Sequence, residues 1–194
     1  MPRLVGVRER RHQYYYDTLI RVDANTAPTP VVVAQTRLFN GTNLGQTMWT
    51  NMAAAGTMGS DNTYIILALR VWLWFRGNQA LDMYSLSVHQ LYLTLVAGDK
   101  NLFLWQAWYT PAGGGIWGFD STQPIMNNGV PQQNSTLKLA KSIPLPARQS
   151  FYVQADLFDT GNTSLRTQFL NIAATIGMRE IKVCLDGIHT RDVL

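Results

Sequence analysis

Three histidines, one cysteine and twelve acidic side chains are the groups in this 194-residue chain equipped for metal, nucleophilic or acid–base chemistry. His12, His89 and His189 match neither His-x-His nor His-Glu-x-x-His, the spacings that turn two imidazoles toward one metal ion. A single cysteine, Cys184, rules out an intrachain disulfide and a cysteine-based zinc site. There is no Gly-x-Ser-x-Gly elbow and no dinucleotide fingerprint. The glycine-rich PAGGGIWG (111–118) lacks the Lys-Ser/Thr pair of a phosphate loop and reads as a flexible tip. Asp61, Asp82, Asp99, Asp120, Asp159 and Asp186 sit at apparent turns, and Asp156 lies on the polar side of an apparent strand. Two carboxylates facing each other across strands, the glycosidase arrangement, are the one catalytic device this pattern leaves open. The reading is a protein that is not an enzyme and carries no cofactor.

What remains is aromatic and guanidinium chemistry. In TYIILALRVWLWFRGNQ (63–79), Ile65, Leu67, Leu69, Val71, Leu73 and Phe75 alternate with Tyr64, Ile66, Ala68, Arg70, Trp72, Trp74 and Arg76. A period of two is the signature of a strand. The run is also shorter than the roughly 20 apolar residues of a membrane helix, and it contains an arginine. One parity is an aliphatic core face. The other gathers Tyr64, Arg70, Trp72, Trp74 and Arg76, and Tyr, Trp and Arg are the types enriched at subunit interfaces. Packing inside the protein, stacking on sugar rings and burial against another copy are the three uses open to such a face. Trp105 and Tyr109 share a second face, with Trp108 and Trp117 near the loop after it.

The same period runs through 32–38, 83–97, 101–109, 137–145, 151–157, 170–178 and 181–185, with a further strand expected near 14–22. A change of parity near His89-Gln90 predicts a β-bulge within 83–97. Only two of the acids are glutamates, Glu9 and Glu180, and no long helical pattern occurs. Gly77-Asn78, Gly98-Asp99-Lys100 and Gly161-Asn162 read as tight turns, while 40–61 and 110–134 are long, polar connections of the Greek-key kind. Eight or nine strands in one chain of this size predict an all-β antiparallel sandwich or barrel.

Charge is concentrated at the start. Residues 1–21 hold five arginines against Glu9 and Asp17, which is +3 of the chain's formal +4. The pattern is that of a basic N-terminal arm, residues 1–16, ahead of one domain, 17–194. Arg3, Arg8, Arg10 and Arg11, followed by Tyr14, Tyr15 and Tyr16, suit phosphate and base contacts, or docking on a neighbouring subunit. MPRLVGVRERRHQYYYD lacks the apolar stretch of a secretory signal.

The basic arm, eight or so strands and two long loops together resemble a viral jelly-roll capsid protein. IKVCLDGIHTRDVL (181–194) is similar to strand-then-Asp-Gly-turn segments in capsid proteins of tailless, membrane-containing bacteriophages. The resemblance implies a single jelly roll and a virion structural subunit, made in the host cytoplasm and assembled with copies of itself and other virion proteins. It also implies packaged nucleic acid as a partner of the arm. A carbohydrate-binding β-sandwich, free or on a virion surface, is the alternative function.

Overall fold

The computed structural model describes residues 7–18, 36–41, 44, 47, 49–76, 88–115, 117–119, 125–130, 133–157 and 179–193. Ten strands follow in chain order: β1 (Val7–Thr18), β2 (Thr36–Leu38), β3 (Asn62–Arg76), β4 (Leu91–Ala97), β5 (Lys100–Gln106), β6 (Trp117–Phe119), β7 (Ile125–Asn127), β8 (Leu137–Leu145), β9 (Phe151–Leu157) and β10 (Arg179–Val193). All their pairings are antiparallel. One sheet has the order β1-β10-β3-β7-β6, with β8 also paired to β3, and the other is β2-β9-β4-β5. β8 meets β3 over Tyr64–Leu69 and β7 meets it over Trp74–Arg76, so the two share one side of β3 end to end. The protein is an all-β antiparallel sandwich. Setting β6 and β7 aside, each successive strand changes sheet except β5, which follows β4 across the Gly98-Asp99 turn.

Alternation builds the core between the sheets. Leu91, Leu93 and Leu95 of β4, Phe151, Val153 and Ala155 of β9, and Ile181, Val183 and Leu185 of β10 are all buried, each set on one parity of its strand. β3 departs from this rule. Leu69, Val71, Leu73 and Phe75 point inward, but so do Tyr64 and Ile66, while Leu67 is 39% exposed. Ile66 pairs with Gly187 and Ala68 with Asp186, leaving Leu67 as an extra residue, and the β8 register shifts at the same place. This bulge exchanges the two faces of β3 halfway along. A Cβ on Gly187 would lie 2.0 Å from the Ile65 carbonyl oxygen, so glycine is required there by close backbone approach. Asp186-Gly187 is therefore not a turn, as the sequence suggests, but the middle of β10.

Other expectations are corrected in the same way. Residues 7–16 of the expected arm belong to β1, which pairs with β10 from Val7↔Val193 to Thr18↔Lys182. Within the strand expected over 83–97, residues 88–90 are helical where the sequence predicts the bulge, and β4 starts at Leu91. Residues 83–87, the strand over 170–178 and the turns at 77–78 and 161–162 lie outside the described residues. The 110–134 connection is not merely a loop, since it contributes β6 and β7 to the larger sheet. Between the reach of β8 and β7, Asn128 takes the place of a strand. Its Oδ1 accepts from Leu73 N at 3.2 Å and its Nδ2 donates to Val71 O at 2.6 Å.

The 39–61 connection is tied to neighbouring turns by backbone bonds, including Phe151 N to Gly56 O (2.7 Å) and Met58 N to Gln149 O (3.1 Å). It also reaches β1. Asn51 N and Thr50 Oγ1 donate to Tyr16 O at 3.4 and 2.9 Å, and Asn51 Oδ1 accepts from Tyr16 N at 2.8 Å. These bonds close the outer edge of β1 over its C-terminal half. Buried Asp17 accepts from Thr18 N at 3.0 Å and from Phe39 N, holding Phe39 at φ 64°, a conformation that bulky residues seldom adopt.

Candidate interaction surfaces

The outer face of the larger sheet is assembled by register. Across β1, β10 and β3, the rows Tyr16–Cys184–Arg70 and Thr18–Lys182–Trp72 lie side by side, and Glu180 faces Trp74. Arg70, Trp72 and Trp74 thus share one face, as the alternation predicts, and each is half-buried. Tyr64 does not join them. The bulge at Leu67 turns it into the core, where its one hydroxyl proton is shared between Leu185 O (2.6 Å) and Gln13 O (2.8 Å). Burial drives its pKa far above the ordinary tyrosine range, with Asp186, Tyr15 and Cys184 adding to the effect and the Tyr15 backbone bond opposing it. Arg76 ends β3, and its side chain lies outside the described residues.

The charges on this face lie in pairs, although Arg70 Nε and Asp186 Oδ1 have no hydrogen-bond partner among the described residues. Asp186, its side chain 10% exposed, takes a charged hydrogen bond from Arg70 and faces His12 Nε2 at 2.5 Å. One carboxylate therefore ties β1, β10 and β3 together. Lys182 Nζ lies 2.6 Å from Glu180 and sits over the rings of Trp72 (5.4 Å) and Tyr16 (5.7 Å). Cys184 lies between these groups, and burial pushes its thiol up to about 11 against the pull of Arg70 and Lys182. That thiol is a poor nucleophile at neutral pH. Among the described residues no three His, Cys, Asp or Glu side chains are grouped to hold a metal ion.

The arginines of β1 divide between its two faces. Arg8 and Arg10 share the outer parity with His12, Tyr14 and Tyr16, and the Tyr14 and Tyr16 rings stack at 6.0 Å. Arg11 stands on the opposite parity beside His189, and Arg3 lies outside the described residues. The three described arginines do not share one face.

The smaller sheet presents a different outer face. β5 is its edge strand, and Leu102 and Leu104 point outward, Leu104 at 64% exposure. A short 3-10 turn, Ala107–Tyr109, then breaks the alternation. Trp105 is buried in the core, whereas Tyr109 is turned out beside Trp108, so the expected shared face of Trp105 and Tyr109 does not form. Trp108 and Tyr109 are each 51% exposed and meet edge-on at 5.5 Å. Trp108 Nε1 donates to Gln106 at 2.5 Å, which fixes the indole at the end of the strand. Tyr92, Thr94, Leu102, Leu104 and Gln106, the outward residues of this β4–β5 half, include no charge. Sequence reasoning passed over this patch, although its signal was present. In NLFLW both parities are apolar, and a strand with one solvated face has no need of that.

No helix among the described residues is long and apolar enough to cross a membrane. No protein-family model matches the chain, and no curated protein does.

Proposed function

We propose that this chain is a structural subunit that works by associating with copies of itself, and that the assembly is a viral capsid. The observation that carries self-association is the exposed, uncharged row of Leu102, Leu104, Trp108 and Tyr109 beside the edge strand β5. An edge strand offers unpaired backbone groups, and an apolar face beside it adds the burial that a second copy supplies. The capsid class draws support from strand order. With β6 and β7 set aside, the described strands read β1-β10-β3-β8 and β2-β9-β4-β5, an order that supports a jelly-roll reading. Folds of this kind serve several functions, so the class rests on analogy and the association on the surface.

Size-exclusion chromatography with light scattering, followed by electron microscopy of the first species eluted, tests both parts. The expected result is a large, regular assembly that Leu104→Lys reduces to monomer or a small oligomer. A wild-type protein that runs as a monomer at high concentration would overturn the reading. The exposed Trp108–Tyr109 pair also favours a second reading, a carbohydrate-binding surface. That reading predicts a small species whose tryptophan fluorescence is quenched by sugar. Packaged nucleic acid is proposed as the partner of Arg8, Arg10 and Tyr14 on β1, bound through phosphate contacts and ring stacking.

A further inference from the structure

His189 is placed where a charge has no home. It lies on the core side of β10, paired across the sheet with Arg11 of β1 and Tyr64 of β3. The residue is 3% exposed, and neither ring nitrogen has a hydrogen-bond partner among the described residues. Its ring meets Tyr15 of β1 edge-on at 6.2 Å, and Tyr15 in turn meets Tyr64 edge-on at 4.8 Å. The Tyr64 hydroxyl is already committed to two backbone carbonyls. The charged groups facing this site are Arg11 and Glu9 from β1 and Arg191 from β10 itself. Glu9, the one carboxylate among them, accepts from Arg191 Nε at 2.6 Å.

A neutral imidazole fits such a pocket as a flat, largely apolar ring. An imidazolium would be a buried cation beside Arg11 and Arg191, with neither of its N–H groups hydrogen-bonded to a described residue. Burial first, then Arg11 and Arg191, therefore hold the His189 pKa below its ordinary value, and Glu9 opposes them only in part.

The strand covering His189 is unevenly held. Tyr14 and Tyr16 turn their backbone groups away from β10, toward Asn51 and Thr50, which clamp residues 14–18. By the alternation of an antiparallel ladder, Glu9, Arg11 and Gln13 turn theirs toward β10. No such clamp from 49–51 reaches residues 7–13. Opening that half of β1 breaks the contacts of Glu9 with Arg191, His12 with Asp186 and Gln13 O with Tyr64, leaves the 49–51 clamp intact, and brings water to the ring.

We propose that His189 is an acid-sensitive latch whose protonation releases residues 7–13 of β1 from β10, while residues 14–18 stay clamped. The opened segment carries Arg8, Arg10 and Arg11, so the latch would set how much positive charge the protein extends. Because the closed state binds the proton less well than the open one, closure is fully favoured above about pH 6.5 and weakens as pH falls below it. The weakening ends once the closed state is itself protonated.

Amide hydrogen exchange on the full chain between pH 7.5 and 5 tests this, read as protection relative to the intrinsic rate at each pH. The expected result is that protection at Glu9, Arg11 and Gln13 falls by up to about tenfold per pH unit within the window. Protection at Tyr15 and Asp17 should hold, and His189→Gln should flatten the response. Equal loss in both halves of β1, or an unchanged response in His189→Gln, would overturn the proposal. Should that variant fail to fold, the His189 ring proton shift of the wild type serves instead. A midpoint at or above that of a free histidine would overturn the latch equally.

Discussion

The two outer faces of the sandwich grow from the same sequence signal and end in opposite conditions. Both β3 and β5 are apolar on both parities, which marks a strand with two faces to cover. On the larger sheet the second face is covered from within. Asp186 binds Arg70 and faces His12, Lys182 binds Glu180 and lies over Trp72 and Tyr16, and the tryptophans are half-buried among them. On the smaller sheet nothing described covers Leu104 or Trp108, and no charge stands among Tyr92, Thr94, Leu102, Leu104 and Gln106, the exposed Lys100 lying at the far end of β5. An aromatic, arginine-bearing strand face thus identifies a surface that needs a partner without saying whether the partner is another chain. The difference makes a sharp forecast: substitutions on the first face should change stability, and substitutions on the second should change association.

The largest effect is expected at Asp186. Asp186→Ala leaves the Arg70 guanidinium half-buried without its carboxylate and should lower unfolding free energy by about 3 kcal/mol in urea denaturation. Replacing both partners with apolar residues, as Asp186→Leu with Arg70→Met, should recover much of that loss, because no unpaired charge is left behind. If the single and double variants are equally unstable, the face is not held by this pair. Next comes Gly187→Ala, which forces a Cβ against the Ile65 carbonyl and should cost about 2 kcal/mol. Its readout is the bulge itself. Tyr64 should then lose its bonds to Gln13 and Leu185, visible as a rise in tyrosine exposure on solvent-perturbation spectroscopy. Asn128→Ala follows, at about 1–2 kcal/mol, since Leu73 N and Val71 O lose a buried partner. Asn51→Ala, at a more exposed edge, should cost less.

The faces also show what a sequence reveals and what it hides. Alternation located β3, β5, β8 and β9 and the 181–185 part of β10, because each has one parity that is mostly apolar, while residues 186–193 of β10 have none. It failed where the apolar signal changes side or disappears. Ile65, Ile66 and Leu67 are all aliphatic, so nothing local reports that the faces exchange at Leu67. The cause lies across the sheet at Gly187, more than a hundred residues away. The first half of β1, residues 7–13, escaped notice for the opposite reason. Val7-Arg-Glu-Arg-Arg-His-Gln13 has no apolar parity, as suits an edge strand that must resist pairing with strangers, and it reads as a free arm. Asp186 was hidden by its glycine, which signals a turn far more often than a close approach. Beyond Gln106, a single 3-10 turn rotated Tyr109 out of the register that Trp105 keeps.

The smallest stability change, and the most informative, is expected at Leu104. Its side chain points to solvent, so Leu104→Lys should alter unfolding free energy by no more than about 0.5 kcal/mol. In a subunit that associates through β5, the same substitution places a charge in the contact with no partner of opposite sign, and light scattering should show the assembly lost. Trp72→Ser with Trp74→Ser is the matched control on the other face. Both indoles are half-buried, so that variant should be measurably less stable, yet still assemble when folded. The reverse outcome, assembly lost in the tryptophan variant and kept in Leu104→Lys, would return the interface to the face that the sequence singles out. It would also mean that a charge network paired within one chain is nonetheless shared between two. Ionic strength then separates those cases, because association through Arg70, Lys182 and Asp186 weakens in salt, and association through Leu104 and Trp108 does not.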